Sequence, residues 1–141
     1  MSSTTERGDR FRDEVADLLR VAGYAVSVEI LDGHKRVDIR FEERSFGKLR
    51  KYAVEAKDWE APLDHGDLET IYGGYASLLV SHEIDELLVI SRQPIRSAAA
   101  NAFVRDTPRF SHQTLLEFQE SIMGVSEYLR TFIEKHTEDG L

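Results

Sequence analysis

Apolar residues recur at helical spacing near the start of the chain. Between residues 5 and 22 they form one stripe, made by Phe11, Val15, Leu18, Leu19 and Ala22. The opposite face is charged, as expected of a helix that covers a core. Gly23 follows at once, and glycine is favoured just past a helix end because it accepts a positive φ. The pattern predicts an amphipathic helix over residues 5–22.

Three segments then alternate apolar and polar residues, as half-buried strands do. They cover residues 24–31, 36–41 and 49–57. Asp32-Gly33 supplies a turn between the first two, and a polar loop containing Gly47 separates the second from the third. The last two segments are predicted to pair as an antiparallel meander.

The second half of the chain predicts further helices and strands. Residues 66–80 show helical spacing, and their Gly73-Gly74 pair is expected to allow close packing on the sheet. The apolar run over residues 85–91 is typical of a central parallel strand. A short helix over 95–106, a brief edge strand at Arg109-Phe110 and a last helix complete the chain. That helix is expected from Ser111 or His112 to Lys135, with a break at Gly124.

This order of elements predicts an α/β domain with a mixed β-sheet flanked by helices on both faces. The 141 residues, 41% of them hydrophobic, fit one domain over 1–141. The polar tail at 134–141 ends abruptly, as it would in the N-terminal part of a longer polypeptide. No apolar run approaches the roughly 18 residues of a membrane span, and the polar N-terminus lacks a signal peptide, so we expect a cytoplasmic protein without membrane contact. The absence of cysteine excludes disulfides, thiolate zinc sites and cysteine nucleophiles.

The net charge of −8 argues against a uniformly basic, phosphate-binding surface. The charge is uneven, however. Between Lys35 and Lys57 eight cationic residues face four acidic ones, a net charge of +4. The distribution is compatible with one phosphate-facing edge on an acidic body, although a basic hairpin is more often only a solvated one.

Two acids and a lysine are predicted to converge on neighbouring strands. Alternation places Val37, Ile39 and Phe41 on one face of the second strand and Asp38 on the other. Glu55 and Lys57, two residues apart at the end of the third strand, share a face. Carboxylate oxygens suit Mg²⁺ or Mn²⁺, so we expect Asp38, Glu55 and the backbone carbonyl of Ala56 as metal ligands. Lys57 would orient the attacking water and face a phosphate, which makes a metal-dependent phosphodiesterase site.

The segments VDIRF and LRKYAVEAKDWEAPL resemble the catalytic core of PD-(D/E)XK nucleases, most closely the Mrr-like restriction endonuclease branch. The segments GDRFRDEVADLLRVAGYAV and ELLVISRQPIRSAAANAF are similar to that branch's opening helix and strand and to its later strand and helix. The resemblance spans most of residues 8–120, although only Asp38, Glu55 and Lys57 are specific motif positions. It implies a Mg-dependent endonuclease that hydrolyses DNA in restriction or antiviral defence. It also implies effectors that are fused to a sensor or NTPase module and that need oligomerisation for activity.

The resemblance leaves the number of metals open. In the family the first helix often supplies a glutamate where this chain has Arg12. Asp13 and Glu14 are adjacent substitutes, and His34, beside the turn before Asp38, is a further accessory candidate. Capping of a helix is preferred over ligation for Asp64, His65 and Asp67, since acids favour a helix N-terminus.

Four residues are candidates for nucleic-acid binding, namely Lys35, Arg36, Trp59 and Arg92. Trp59 would stack on a base or sugar, or else cover the core. Two alternatives to a DNA nuclease stay open. One is a catalytically inactive module that keeps the nuclease fold for binding or assembly, and the other is a nuclease that acts on RNA.

Overall fold

A computed structural model describes residues 4–32 and 35–122. Its elements are α1 (Thr4–Val21), β1 (Val26–Asp32), β2 (Lys35–Ser45), β3 (Lys48–Lys57), α2 (His65–Val80), β4 (Glu86–Ser91), α3 (Ala98–Asp106) and β5 (Phe110–Thr114). Residues 115–122 form a further helix, α4. None of the helices in this part of the chain is both long and apolar enough to cross a membrane.

The five strands form one mixed sheet in the order β1-β2-β3-β4-β5. The first three strands pair antiparallel, which confirms the predicted meander of β2 and β3. From β3 onward the strands pair parallel, and β4 lies between β3 and β5 as a central parallel strand. The connections from β3 to β4 and from β4 to β5 carry α2 and α3, as parallel crossovers require.

Helices cover both faces of this sheet, as predicted. Neighbouring residues of β3 point to opposite sides, and each belongs to a different hydrophobic cluster. Ala53 packs with the cluster that contains residues of α2 and α3. Val54 packs with the cluster that contains residues of α1 and α4, among them Phe11 and Phe118. The alternation of β3 therefore produces two cores, one on each face.

The prediction for the end of the chain was wrong in one respect. Residues 110–114 form an edge strand, so the last helix does not begin at Ser111 or His112. It begins after Thr114, whose hydroxyl accepts a hydrogen bond from the Glu117 amide at 3.1 Å, while the Glu117 side chain accepts one from the Thr114 amide at 3.0 Å. This reciprocal pair is a capping box, which fixes the helix start. The predicted break at Gly124 and end at Lys135 lie outside the described residues.

The predicted loop around Gly47 is a tight turn between longer strands. Phe46 and Gly47 both have positive φ, at 52° and 76°. The strands extend to this turn because polar residues of β2 and β3 pair with opposite charge, as in Glu42 with Lys51 and Glu43 with Arg50. Both sides of this hairpin end are mostly exposed.

Helix α2 begins as the sequence indicates. Asp64 caps it, with hydrogen bonds of 2.8 and 2.9 Å exchanged with Asp67, so these acids serve the helix start. The glycine pair departs from expectation. A Cβ at Gly73 would meet nothing within 4 Å, and one at Gly74 would lie 3.4 Å from the Lys35 ammonium. Both glycines are exposed, and only Gly74 approaches a side chain of the sheet, so the pair does not serve close backbone packing on the sheet.

Candidate active site

Asp38 lies where the regular ladder between β1 and β2 is interrupted. The ladder pairs Val28 with Ile39 and resumes at Ile30 with Val37, so Glu29 and Asp38 lie unpaired between them. Glu29 has a φ of 50°, which is uncommon for a residue with a side chain. Val37 packs in the cluster that contains residues of α2 and α3, while Ile39 packs in the cluster that contains residues of α1 and α4. The prediction that Val37 shares one face of β2 with Ile39 and Phe41 is therefore wrong.

The carboxylate of Asp38 replaces a backbone acceptor for β3. Its Oδ2 accepts a hydrogen bond from the Ala56 amide at 3.1 Å. Burial, and then the nearby charge of Glu55, raise the pKa of Asp38 from 3.8 to about 6. The carboxylate is thus held in a place where its own negative charge is disfavoured, which a bound cation would relieve.

Glu55 is held on both of its oxygens. Its residue is only 7% exposed, and Oε1 lies 3.3 Å from the Lys57 ammonium. Oε2 accepts a hydrogen bond from the hydroxyl of Tyr75, a fully buried residue of α2. Burial and the neighbouring charge of Glu55 raise the pKa of Tyr75, so this hydroxyl stays a donor.

These groups line a common cavity of about 380 Å³. Asp38, Glu55, Ala56 and Lys57 come from β2 and β3, and Trp59 closes one side. Helix α1 adds Gly8, Asp9 and Arg12, β1 adds Glu29, and the cavity also reaches Arg36 and Asp58. The structure therefore brings the two acids and the lysine to one cavity.

The candidate accessory acids lie elsewhere. Asp13 and Glu14 are exposed on α1 and do not line the cavity. Arg12 points into it instead, with a side chain only 12% exposed, and pairs with Asp9 at 3.2 Å, Asp13 at 3.0 Å and Glu29. His34 lies outside the described residues. Within the described part of the chain, no group of three or more histidine or acidic side chains is placed to share a metal ion.

The donor set nevertheless fits one hard divalent ion. Asp38 and Glu55 present carboxylate oxygens at a partly enclosed edge of the sheet, where burial, and then the nearby charge of Glu55, raise the pKa of Asp38. Mg²⁺ commonly uses one or two carboxylates and completes its shell with water and phosphate oxygens.

Two of the four predicted nucleic-acid-binding residues, Arg36 and Trp59, line the cavity, whereas Lys35 and Arg92 do not. Trp59 is 42% exposed beside it, with the Lys57 ammonium 5.5 Å from its ring centroid, and it is not part of either core cluster. Arg36 is exposed at the rim and pairs with Glu29 at 2.8 Å. Lys35 faces α2, with its ammonium 4.5 Å from the ring centroid of Tyr75.

Arg92 joins a cluster around Asp58. Asp58 follows Lys57 directly, and its side chain is only 6% exposed. It accepts from Arg7 Nε at 2.9 Å and from Arg92 Nε at 2.5 Å. Burial opposes ionisation of Asp58, but the hydrogen bonds from the two arginines outweigh it and lower its pKa.

The remaining cations of the basic segment lie away from this site. Lys48 and Arg50, together with Arg109 and Phe46, line a larger cavity of about 850 Å³ at the β2–β3 turn. That turn is at the opposite end of β2 and β3 from Asp38 and Glu55. Arg50 also pairs with Glu86 at 3.0 Å. The cationic residues that give the segment from Lys35 to Lys57 its net charge of +4 therefore do not lie together on one phosphate-facing edge.

Four residues have roles at the site that the sequence patterns do not indicate, namely Arg7, Glu29, Asp58 and Tyr75. Tyr75 lies within the segment of helical spacing over residues 66–80. A signal was present, because the hydroxyl of a buried tyrosine usually has a hydrogen-bond partner. The roles of Arg7 and Asp58 depend on residues about 50 positions apart, and no local pattern announces them.

Comparison with known families identifies the class of this domain. The profile of the Mrr catalytic domain, described as a restriction endonuclease, matches residues 4–120. Since the match covers most of the sequence, the chain belongs to the Mrr restriction endonuclease family. Its class is therefore that of the nucleases. The resemblance to Mrr-like restriction endonucleases is confirmed. A sequence search found no curated relative.

Solved structures share the fold at low sequence identity. AF1548, a protein of unknown function, gives a TM-score of 0.62 at 13% identity over 84% of this chain and 66% of that chain. AspBHI, a DNA modification-dependent restriction endonuclease, gives 0.51 at 11% identity over 90% and 39%. The MspJI restriction endonuclease in complex with a 27-mer oligonucleotide gives 0.48 at 11% identity over 79% and 26%. The chain thus spans less than two thirds of each of these proteins. The family match and the similarity to AspBHI show that it has the restriction endonuclease fold.

Proposed function

We propose that this domain is a Mg²⁺-dependent or Mn²⁺-dependent endonuclease that hydrolyses phosphodiester bonds of DNA. The observation that carries the proposal is the meeting of Asp38, Glu55 and Lys57 in one cavity at the sheet edge. Family membership supports the nuclease class. The name of AspBHI, a structural neighbour, supports DNA as the substrate.

Asp38 and Glu55 are the proposed metal ligands, with the backbone carbonyl of Ala56 as a third. When bound, the ion would neutralise phosphate charge and lower the pKa of a coordinated water. The protein's part is to hold the two carboxylates. The Ala56 amide fixes Asp38 at 3.1 Å, and Tyr75 fixes one oxygen of Glu55.

Lys57 is the proposed catalytic cation. Its ammonium is half-buried, 3.3 Å from Glu55 Oε1, and faces the cavity. From that place a compact positive charge orients the attacking water and stabilises the charge that develops on the phosphate oxygens. Lys35, Arg36, Trp59 and Arg92 are proposed to contact the nucleic acid around it.

A plasmid cleavage assay with Mg²⁺, Mn²⁺ or EDTA tests the proposal on the wild type and on Lys57→Ala. We expect cleavage with either metal, none with EDTA, and a loss of at least about 100-fold in the variant. Lys48→Ala is the matched control, because it removes the same charge from the other end of β3. Equal cleavage by Lys57→Ala and the wild type would contradict the mechanism. Digestion of RNA but not DNA favours the RNA alternative, and DNA binding without turnover favours an inactive module.

On the basis of this activity we also propose a role in restriction or phage defence. We propose that the protein acts in the cytoplasm. Fused sensor or NTPase modules and oligomerisation are further expectations for the whole protein. Expression in a phage-sensitive bacterial host should lower the plating efficiency of phage. The Lys57→Ala variant should not, and equal protection by both would separate any defence role from catalysis.

A further inference from the structure

Asp58 and Arg92 meet at the sheet edge that carries the active site. The parallel pairing of β3 and β4 ends with Lys57 opposite Ser91, so the next residues along each strand are Asp58 and Arg92. Adjacent strands lie about 4.8 Å apart, so the backbone of Arg92 lies next to the end of β3 that carries Lys57 and Asp58. The Arg92 side chain does not itself line the cavity, and it reaches the cavity wall through its contact with Asp58. The side chain of Asp58 itself lines the cavity.

Arg92 is held on two sides. Asp58 accepts a hydrogen bond from its Nε at 2.5 Å, and its guanidinium lies 5.1 Å from the ring centroid of Phe11, a buried residue of α1. Both contacts use the inner edge or the face of the guanidinium. Among the described residues no acceptor contacts its two terminal nitrogens, and the side chain is 45% exposed. The outer edge has the paired donors that suit a phosphate.

We propose that Asp58 is a positioning residue that, together with Phe11, presents the terminal nitrogens of Arg92 to a backbone phosphate next to the cleavage site. The role rests on the proposed nuclease function. Arg7 completes the support, since it binds the other oxygen of Asp58 at 2.9 Å and ties this carboxylate to α1. An arginine fixed in advance loses less side-chain entropy when DNA binds.

The sign of one measurement separates this role from a merely structural ion pair. Removing a negative charge beside bound DNA should by itself strengthen binding. If Asp58 positions Arg92, Asp58→Asn should instead weaken DNA binding. Glu60→Gln is the matched control, because Glu60 contacts the same Arg7 at 3.3 Å but is 86% exposed and does not contact Arg92.

Fluorescence anisotropy with a labelled 20-base-pair DNA duplex in EDTA, and cleavage kinetics in Mg²⁺, provide the readouts. For Asp58→Asn we expect Kd to rise about tenfold and the slope of log Kd against log salt to fall by about one, as for one lost phosphate contact. KM should rise more than kcat falls. Glu60→Gln should bind equally well or more tightly. In an Arg92→Gln background, Asp58→Asn should cause no further loss, because its effect passes through Arg92.

Binding by Asp58→Asn that equals or exceeds wild-type binding overturns the positioning role, as does an additive loss in the double variant. A wild type that cleaves DNA in the same assay leaves the proposed function intact in either case. A wild type that neither binds nor cleaves DNA overturns both. If Asp58→Asn does not fold, Arg92→Lys decides. It keeps the charge but loses the planar fork and the Nε contact, so it should bind nearly as weakly as Arg92→Gln, and wild-type affinity would refute the role.

Discussion

Replacement of Asp38 by asparagine should stabilise the metal-free protein at neutral pH. The pKa of Asp38 is raised from 3.8 to about 6 by burial and by Glu55, so its ionised form is disfavoured in the folded state. Asparagine keeps an oxygen that can accept the Ala56 amide, now 3.1 Å from Oδ2, and it removes the charge. The variant should therefore lose metal binding and cleavage while it gains stability.

The magnitude follows from linkage between protonation and folding. One pKa unit equals about 1.4 kcal/mol, so the shift corresponds to at most about 3 kcal/mol of lost stability at pH 7.5. Partial solvent contact reduces this, and we expect a gain of about 1 to 2 kcal/mol for Asp38→Asn. Because the folded pKa is raised, the cost is absent below about pH 4, where Asp38 is protonated in both states. It grows as pH rises toward 6 and is nearly constant above.

Urea unfolding in EDTA at pH 4, 5, 6 and 7.5 measures this difference. Asp85→Asn is the control, because Asp85 also accepts a backbone hydrogen bond, from the Lys51 amide at 2.8 Å, but lies at the other end of the sheet. It should not reproduce the gain of Asp38→Asn, because it leaves the Asp38 and Glu55 pair unchanged. Added Mg²⁺ should stabilise the wild type and not Asp38→Asn, since a ligand stabilises only the state that binds it. A variant no more stable than the wild type at pH 7.5 would refute the reasoning.

Three further outcomes are expected. At Mg²⁺ concentrations well below saturation, cleavage should fall as pH drops below about 6, because protons then compete with the cation for Asp38. A flat rate profile between pH 5 and 8 at that Mg²⁺ concentration would contradict this role. Tyr75→Phe removes the hydrogen bond to Glu55 but keeps the ring, so the Mg²⁺ concentration for half-maximal cleavage should rise by about tenfold. Tyr72→Phe on the same helix should leave it unchanged, and equal effects of the two variants would exclude a specific role for the Tyr75 hydroxyl. Gly23→Ala should lower the free energy of unfolding by about 1 kcal/mol in a urea titration, because Gly23 ends α1 with a φ of 101°, and no loss would show that the turn relaxes.

Near the last strand, local patterns predict that a helix is present but not where it begins. Apolar spacing correctly predicts a helix beyond Leu115, but it places the start three or four residues too early. The T-x-x-E sequence at Thr114 and Glu117 marks the true start and makes the stretch before it available to the sheet edge. A short strand such as Phe110–Thr114 carries little periodicity of its own, so its pairing with β4 decides its conformation.

What the sequence by itself determined was the set of elements with strong periodicity and the common face of Glu55 and Lys57. Alternation along a strand depends only on backbone geometry, so a spacing of two residues is sufficient to place both side chains on one side. Tertiary structure alone decided that Asp38 interrupts its ladder to bond Ala56, that Tyr75 holds Glu55, and that Asp58 joins Arg7 to Arg92. These contacts link residues 18 to 51 positions apart, and they form only when packing of the helices on the sheet brings the groups together.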